Sequence, residues 1–559
     1  MKKLLYFLLV LTTCTACSKL DLDPLSESST TTFYDSQAGL ELAVNDLYRP
    51  AFFGNDSELF TDNFWHRAQL GNAVTFGTMA ADDATALNLW TNSYRAIARA
   101  NSFLANKDKA AGSTPASIIT QYEAEMRLIR AYEYSRLITH FGDVPFLTEP
   151  KELSKVTGLT RTNKDEILAF IFNELDFAAS KLPATYTASA VKRLTKGAAL
   201  AIKSRTALET GKYAIARDAS KAIMDLGSAV YSLHPNYSQL FLKAGETSKE
   251  IIFSLPRDQI QGIFNGAAYV QDWIPRTAGG FGAQIPTREI VDAYECIDGK
   301  PINESSLYNP RNPFKNRDPR LTASVVEFGI QWLGFGYMPH PDSLTIWSSK
   351  LARRVQNNDT RAIANFASFT GFLWKKGVDQ SWVDRLAEDN DAILYRYAET
   401  LLGYAEAKIE LGEVDASVMN AINQVRARAY GVAVTQVNQY PAVSTTNATE
   451  LRKIVRRERR VEFVNEGLRY MDLIRWKLAE KALTRPVIGL PDPAVQNRGK
   501  WPFPGITPID DDGIADYSGF GTDVKIIAQR NFDKSKQYVW PIPSIERIGN
   551  PSLTQNPGY

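Results

Sequence analysis

Between about Phe241 and Asn390 the chain carries no regular hydrophobic period, whereas the segments on both sides of it do. That contrast constrains the fold more than any other feature. A helical solenoid cannot run unbroken through such a stretch, and alternating strand and helix patterns are missing from it. Gly, Pro, Asn and aromatic residues dominate there, as in GIFNGAAYVQDWIPRTAGGFGAQIP and around NPRNPFKNRDPR. Only short runs, such as Glu250 to Leu255 and Gly371 to Lys375, break the irregularity. A second loop-rich stretch runs from Pro486 to Ser535. Long irregular loops within a helical protein are uncommon and usually serve a function, so the ligand is expected on them.

The flanking segments read as helices. Ser36 to Arg49 follows Asp35 as N-cap and carries Leu40, Ala43, Val44 and Leu47 on one face. Leu87 to Leu104, Ile118 to Phe141 and Asn163 to Leu182 repeat apolar residues at helical spacing, and Gly142 and Pro183 end the last two. Leu194 to Leu226 and Ala392 to Ala429 read as helical hairpins, broken at Gly211-Lys212-Tyr213 and at Leu411-Gly412. Alanines flank both breaks, which lets paired helices approach closely. A helix–turn–helix unit of about 34 residues with small residues at the crossing is the tetratricopeptide pattern.

The N-terminus, MKKLLYFLLVLTTCTACSKLDLDP, is an address. Lys2 and Lys3 precede an apolar run from Leu4 to Leu11 that is too short to span a bilayer, so residues 1–16 read as a secretory signal. Thr15-Ala16-Cys17 looks like a lipobox, which makes Cys17 the expected lipid anchor of a body spanning 17–559; Cys14 is the competing position. Cys296 then has no partner for a disulfide and reads as a small buried hydrophobe.

Charge and motif argue against several functions. The 64 Lys and Arg balance 62 Asp and Glu, so the chain lacks the basic excess that nucleic acid requires. The four His have no His or Cys at ligand spacing, and neither a nucleophile elbow nor a phosphate loop occurs. No metal, no cofactor and no catalytic activity are expected. Carboxylate runs at Asp82-Asp83 and Asp510-Asp511-Asp512 read as solvated loops, although calcium at the second is conceivable. Arg452 to Lys477 reads as one structural helix, with Glu458, Glu462, Glu466 and Asp472 spaced for intrahelical ion pairs and Val461, Val464, Leu468 and Met471 as its apolar seam.

Within that helix, RRERRVEFVNEGLRYMDLIRW resembles the C-terminal signature of the SusD/RagB family of outer-membrane lipoproteins. WTNSYRAIARAN, AEMRLIRAYEYSRLITHFGDVPF, KGAALAIKSRTALETGKY, IVDAYECIDGKPI, NRDPRL, YRYAETLLGYAEAKIELG and WPIPSIERIGNPSLTQNPGY agree with it in the family's order. The resemblance implies a mostly α fold of tetratricopeptide-like helical pairs (about 30–240 and 390–485) carrying a large irregular, ligand-facing part (about 241–390 and 486–535) in a single domain. It also implies a lipid-anchored protein on the outer membrane, facing the exterior. Such a protein captures oligosaccharides or polysaccharides without cleaving them and passes them to a SusC-like TonB-dependent transporter. Oligopeptide binding, or a scaffold without a small ligand, are the alternatives. Arg457, Glu462, Arg469, Asp472 and Trp476 would hold a helix junction together.

Family signatures do not mark ligand residues, so chemistry selects them. Sugars stack apolar C–H faces on aromatic rings and bond their hydroxyls to Asp, Asn, Gln and Arg. Six Trp fall in loop-like context: Trp65, Trp273, Trp332, Trp347, Trp382 and Trp501. Trp273 with Asp272 and Arg276, Trp65 with Asp62, and Trp332 are the expected ligand contacts.

Overall fold

In the computed structural model, residues 33–67, 72–187, 192–491 and 498–559 are described. The signal segment and Cys17 lie outside the described residues. Helix α1 (Gln37–Asn45) is capped by Ser36, whose hydroxyl accepts from the Gly39 amide, rather than by Asp35. Helices α2 (Ala84–Asn106), α3 (Ala116–Phe141) and α4 (Lys164–Lys181) follow. Asp83 caps α2, so this half of the Asp82-Asp83 pair is structural. Gly142 ends α3 at φ 73°, a left-handed conformation that favours glycine.

The two expected hairpins are α5 (Lys196–Glu209) with α6 (Tyr213–Met224), and α7 (Tyr397–Glu410) with α8 (Ala416–Ala429). They are one array, because α7 packs directly against α6 although about 170 residues separate them. Gly403 is where α5, α6 and α7 converge: a Cβ there would meet Leu208 at 3.1 Å and the Ser204 and Ser220 hydroxyls at 3.7 Å. Those hydroxyls bond each other at 2.7 Å between α5 and α6, which satisfies both inside the packed layer.

What separates α6 from α7 leaves and returns through a neck. Strand Ile251–Leu255 pairs antiparallel with Ala392–Arg396. The second of these was expected to begin the α7 hairpin. It is a strand because Leu394 and Tyr395 are buried only when extended against Phe253 and its neighbours, and the helix starts at Tyr397. Three further small sheets are present among the described residues. One of them, a four-stranded antiparallel sheet over 331–356, was read as irregular because strands of two to four residues show no period. Gly371 to Lys375 contributes only a single bridge, Val325 to Trp374. A second apolar core gathers here around Trp65, Trp273, Trp332, Trp374, Trp382 and Phe372. Cys296 is buried in the same core.

The basic helix is two helices, α9 (Ala448–Glu462) and α10 (Arg469–Arg475). Asn465 (φ 59°) and Gly467 (φ 73°) turn the chain between them. A Cβ at Gly467 would collide with the Asp56 carbonyl oxygen, so the turn requires glycine. The spacing argument holds for Asp472 with Arg475 and for Glu450 with Lys453, which pair within their helices, but not for the three glutamates Glu458, Glu462 and Glu466. Glu458 binds Arg320 and Arg426, and Glu462 binds Arg320, Arg396 and Arg428. Glu466 binds Arg396 and Lys376. These partners come from the neck strand, α8 and the irregular part, so the lattice welds that part to the helical array. Asp510 and Asp512 pair with Lys481, and Asp511 with Lys453.

Glu133 of α3 is a buried acid with no such ion pair among the described residues. It is 1% exposed, accepts from the Ser93 hydroxyl of α2 at 2.7 Å, and leaves its second oxygen unpartnered. Burial pushes its carboxyl up to about 7, only partly opposed by Arg136. The folded state therefore holds a proton that the unfolded chain releases in the ordinary carboxylate range. Stability from this group is present below that range and is lost as pH rises toward 7. Glu133→Gln is expected to shrink the fall in unfolding free energy between pH 5 and pH 8 by about 1–3 kcal/mol in urea titrations. An unchanged difference would mean that the carboxyl is ionised in the fold.

Candidate functional site

Four of the sequence-selected residues, Trp65, Asp272, Trp273 and Arg276, come together where β1 (Phe64–His66) meets a later strand across about 220 residues of chain. To keep chain order, the neck strand Ile251–Leu255 is β2, and the partner of β1 is β3 (Gln284–Pro286). Trp65 lies opposite Ile285 and His66 opposite Gln284. The Arg67 amide extends this pairing to the Ala283 carbonyl at 2.9 Å. A short helix, Ala267–Trp273, delivers Asp272 beside His66, with carboxylate and imidazole Nε2 3.4 Å apart.

The loop from Arg276 to Gly282 folds back over that helix. Phe281 donates its amide to the Gln271 carbonyl at 2.6 Å, and Ala283 donates to that of Asp272 at 2.7 Å. A third loop closes on it: the Asp359 carboxylate accepts the amides of Arg276 at 2.7 Å and Thr277 at 3.1 Å. Burial pushes the Asp359 carboxyl up, while these hydrogen bonds pull it back. The same loop presents Phe366, 64% exposed, with the Arg67 guanidinium 5.7 Å over its ring and bonded to its carbonyl.

The outer face therefore combines two open rings, Phe281 and Phe366, with Arg67, Asp272 and Arg276. Burial and the neighbouring Arg276 lower the Arg67 pKa, partly offset by Asp272. The Arg276 Nε is buried without a hydrogen-bond partner. Such a surface can stack a ring and bond hydroxyls from both donors and acceptors.

The expected ligand set divides. Asp272 and Arg276 are on this surface. Trp65 and Trp273 lie directly beneath it at 6% and 7% exposure, Trp65 against Phe369 and Trp273 against Phe64 and Trp382. Their faces are covered by apolar neighbours, so in this conformation they support the surface rather than offer a stacking face. Trp332, 9% exposed, is in the same core on the four-stranded sheet. Asp62 turns the other way: it is 2% exposed and held by Arg460 and Arg469 at 2.8–3.0 Å, which makes it part of the scaffold. Phe366 was missed, and the run NFASF carries no local signal that would have revealed its exposure. Among the described residues no group of three or more His, Cys, Asp or Glu is arranged to hold a metal ion.

The sequence model of the SusD family matches residues 249–559, and one described as starch-binding associating with outer membrane matches residues 20–208. A SusD-like protein of Formosa agariphila is 26% identical over 511 residues, covering 85% of this chain and 90% of that one. A crystal structure of a SusD-like carbohydrate binding protein from Bacteroides fragilis superposes with a TM-score of 0.78 at 28% identity, covering 94% of this chain and 100% of that one. A laminarin binding SusD-like protein shares the fold with a TM-score of 0.65 at 19% identity, over 94% of this chain and 100% of that one.

Proposed function

The chain belongs to the SusD family, and on that premise we propose that it is a non-catalytic glycan receptor of the bacterial outer membrane. It captures oligosaccharides on the irregular part and delivers them to a SusC-like TonB-dependent transporter. In this reading residues 17–559 act as one domain, tethered through lipid at Cys17 and facing the exterior. The observation that carries the binding role is the exposed Phe366 ring set between Arg67 and the Asp272–Arg276 loop, on a rigid support of buried tryptophans. A carbohydrate-binding description of the Bacteroides fragilis relative, 28% identical over nearly the whole chain, supports the ligand class. Asp359 is already engaged by backbone amides, and Asp272 faces His66, so neither is presented as the free member of a hydrolytic carboxylate pair.

Titration calorimetry of the full chain against oligosaccharide and oligopeptide panels tests this. Heat with one glycan class is expected, weakened about fivefold to twentyfold by Phe366→Ala and by Asp272→Asn, in line with about 1–2 kcal/mol for one stacking or hydrogen-bonding contact. Binding of peptides alone would replace the glycan reading with oligopeptide capture, and silence with both would leave a scaffold.

A further inference from the structure

The four-stranded sheet consists of β4 (Gln331–Trp332), β5 (Phe335–Gly336), β6 (Thr345–Ser348) and β7 (Arg353–Gln356), in that spatial order. Its inner face buries Trp332 in the second core, and Ile346 is buried on the same face. Its outer face is unlike the rest of the irregular part. Trp347 stands there 47% exposed in mid-strand, opposite Arg354, and the next pair on that face is Thr345 with Gln356. Gln331 reaches across β5 to the Trp347 carbonyl at 3.4 Å. It has room because position 336 is glycine, where a Cβ would stand 3.2 Å from the Gln331 side-chain nitrogen.

The charge on this face is one-sided. The hairpin from Leu344 to Gln356 contains no Asp or Glu; it carries Arg354 on the outer face, Lys350 in the turn and Arg353 opposite Ser348 on the other face. All three cations are exposed, and none is ion-paired among the described residues. Among the described residues Arg354 bonds only to Thr345, through the carbonyl and the hydroxyl at 3.3 Å. In the helical array, by contrast, Arg99 is met by Asp46 and Arg217 by Glu413. An open Trp flanked by amides, a hydroxyl and unneutralised guanidinium is suited to a ring that carries hydroxyls and a negative charge.

Resting on the glycan reading above, we propose that the outer face of β4–β7 is a binding platform for acidic oligosaccharides. Trp347 stacks on a sugar ring, Arg354 takes a carboxylate or sulfate ester, and Gln331 and Gln356 bond hydroxyls. Strand spacing of about 4.8 Å makes the face about 14 Å wide, room for a short oligosaccharide lying across the strands. The platform adjoins the Phe366 surface, because β7 leads through Asn357 into Asp359, which holds the Arg276 loop. One chain of sugars can therefore meet both.

The test is calorimetry of the full chain with four probes: oligogalacturonate, carrageenan oligosaccharides, neutral laminari-oligosaccharides and phosphatidylglycerol vesicles. Wild type, Trp347→Ala, Arg354→Gln and Phe366→Ala are compared. All three altered side chains are exposed, so folding is preserved, and this is checked by thermal melting. Binding of at least one acidic glycan is expected, weakened about tenfold or more by Trp347→Ala and by Arg354→Gln. Its salt dependence should flatten in Arg354→Gln, as follows from losing a screened ionic contact. The uronate and sulfate arms identify which anionic group Arg354 receives. Glycan binding that responds to Phe366→Ala but to neither sheet variant would overturn this inference and leave the receptor reading standing. Trp347-dependent binding of vesicles alone would overturn it in favour of a membrane contact. No binding of any glycan would overturn both readings.

Discussion

Glu462→Ala is expected to cost about 3–5 kcal/mol of folding stability, the usual penalty for stripping one partner from a buried charge network. Glu462 is fully buried, and its carboxylate receives Arg320 at 2.9 Å, Arg396 at 2.7 Å and Arg428. Those guanidiniums are themselves buried, so removing the carboxylate leaves positive charge where water cannot screen it. The loss is not confined to α9. Arg396 ends the neck strand Ala392–Arg396, Arg320 belongs to the irregular part and Arg428 to α8, so three elements lose a common anchor.

Urea unfolding followed by tryptophan fluorescence measures the cost, and a loss below about 1 kcal/mol would show that the remaining carboxylates absorb the charge. The same residue shapes the acid limb of stability. Burial alone would raise the Glu462 carboxyl, but Arg428, Arg396 and Arg320 outweigh that and hold it well below the usual range. A carboxyl depressed by folding stabilises above the ordinary carboxylate range, and the contribution is lost as pH falls through and below it. Acid unfolding of the variant should accordingly be less steep than that of wild type.

Asp62→Ala carries the second large effect, and it separates scaffold from site. Both Asp62 oxygens bind guanidinium: Oδ1 meets Arg469, and Oδ2 meets Arg469 and Arg460. The Asp62 carbonyl accepts from the Thr287 hydroxyl at 2.6 Å, next to the start of β3 pairing. Burial pushes this carboxyl up, and Arg460 and Arg469 reverse the shift to hold it well below the usual range. A loss of about 3–5 kcal/mol is expected in urea titrations, with glycan affinity per folded molecule unchanged. A variant that folded normally and bound glycan weakly would restore Asp62 to the ligand surface.

The contrast between Asp62 and Asp272 shows where local reading stops. Each is an acid close to a Trp in a loop-like stretch, and sequence chemistry treats them alike. One is surrounded by Arg460 and Arg469, about 400 positions away, and the other stands beside His66 at the surface. Nothing within a dozen residues of either encodes that difference. The tryptophans repeat the lesson. Trp65, Trp273 and Trp332 were selected for polar neighbours, yet all three are core, while Trp347, grouped with them but passed over, holds the open face. Alternation along β6 buries Ile346 and exposes Thr345 and Trp347, but a four-residue strand is too short for that period to be read with conviction.

Helices fared better because their signal is local and long. The run Leu87 to Leu104 lies inside α2, and the break predicted at Gly211 to Tyr213 falls between α5 and α6. Periodicity, small residues at the crossing and caps act within a few turns, and the family motifs recur in order along the chain. These determined the helical array, its pairing and the family from sequence alone. Tertiary structure alone decided the rest: that α7 returns to α6, that the charges of α9 reach across the molecule, and which rings face solvent. Burial and ion pairing depend on residues hundreds of positions apart. Their outcome exists only once the chain has brought them together.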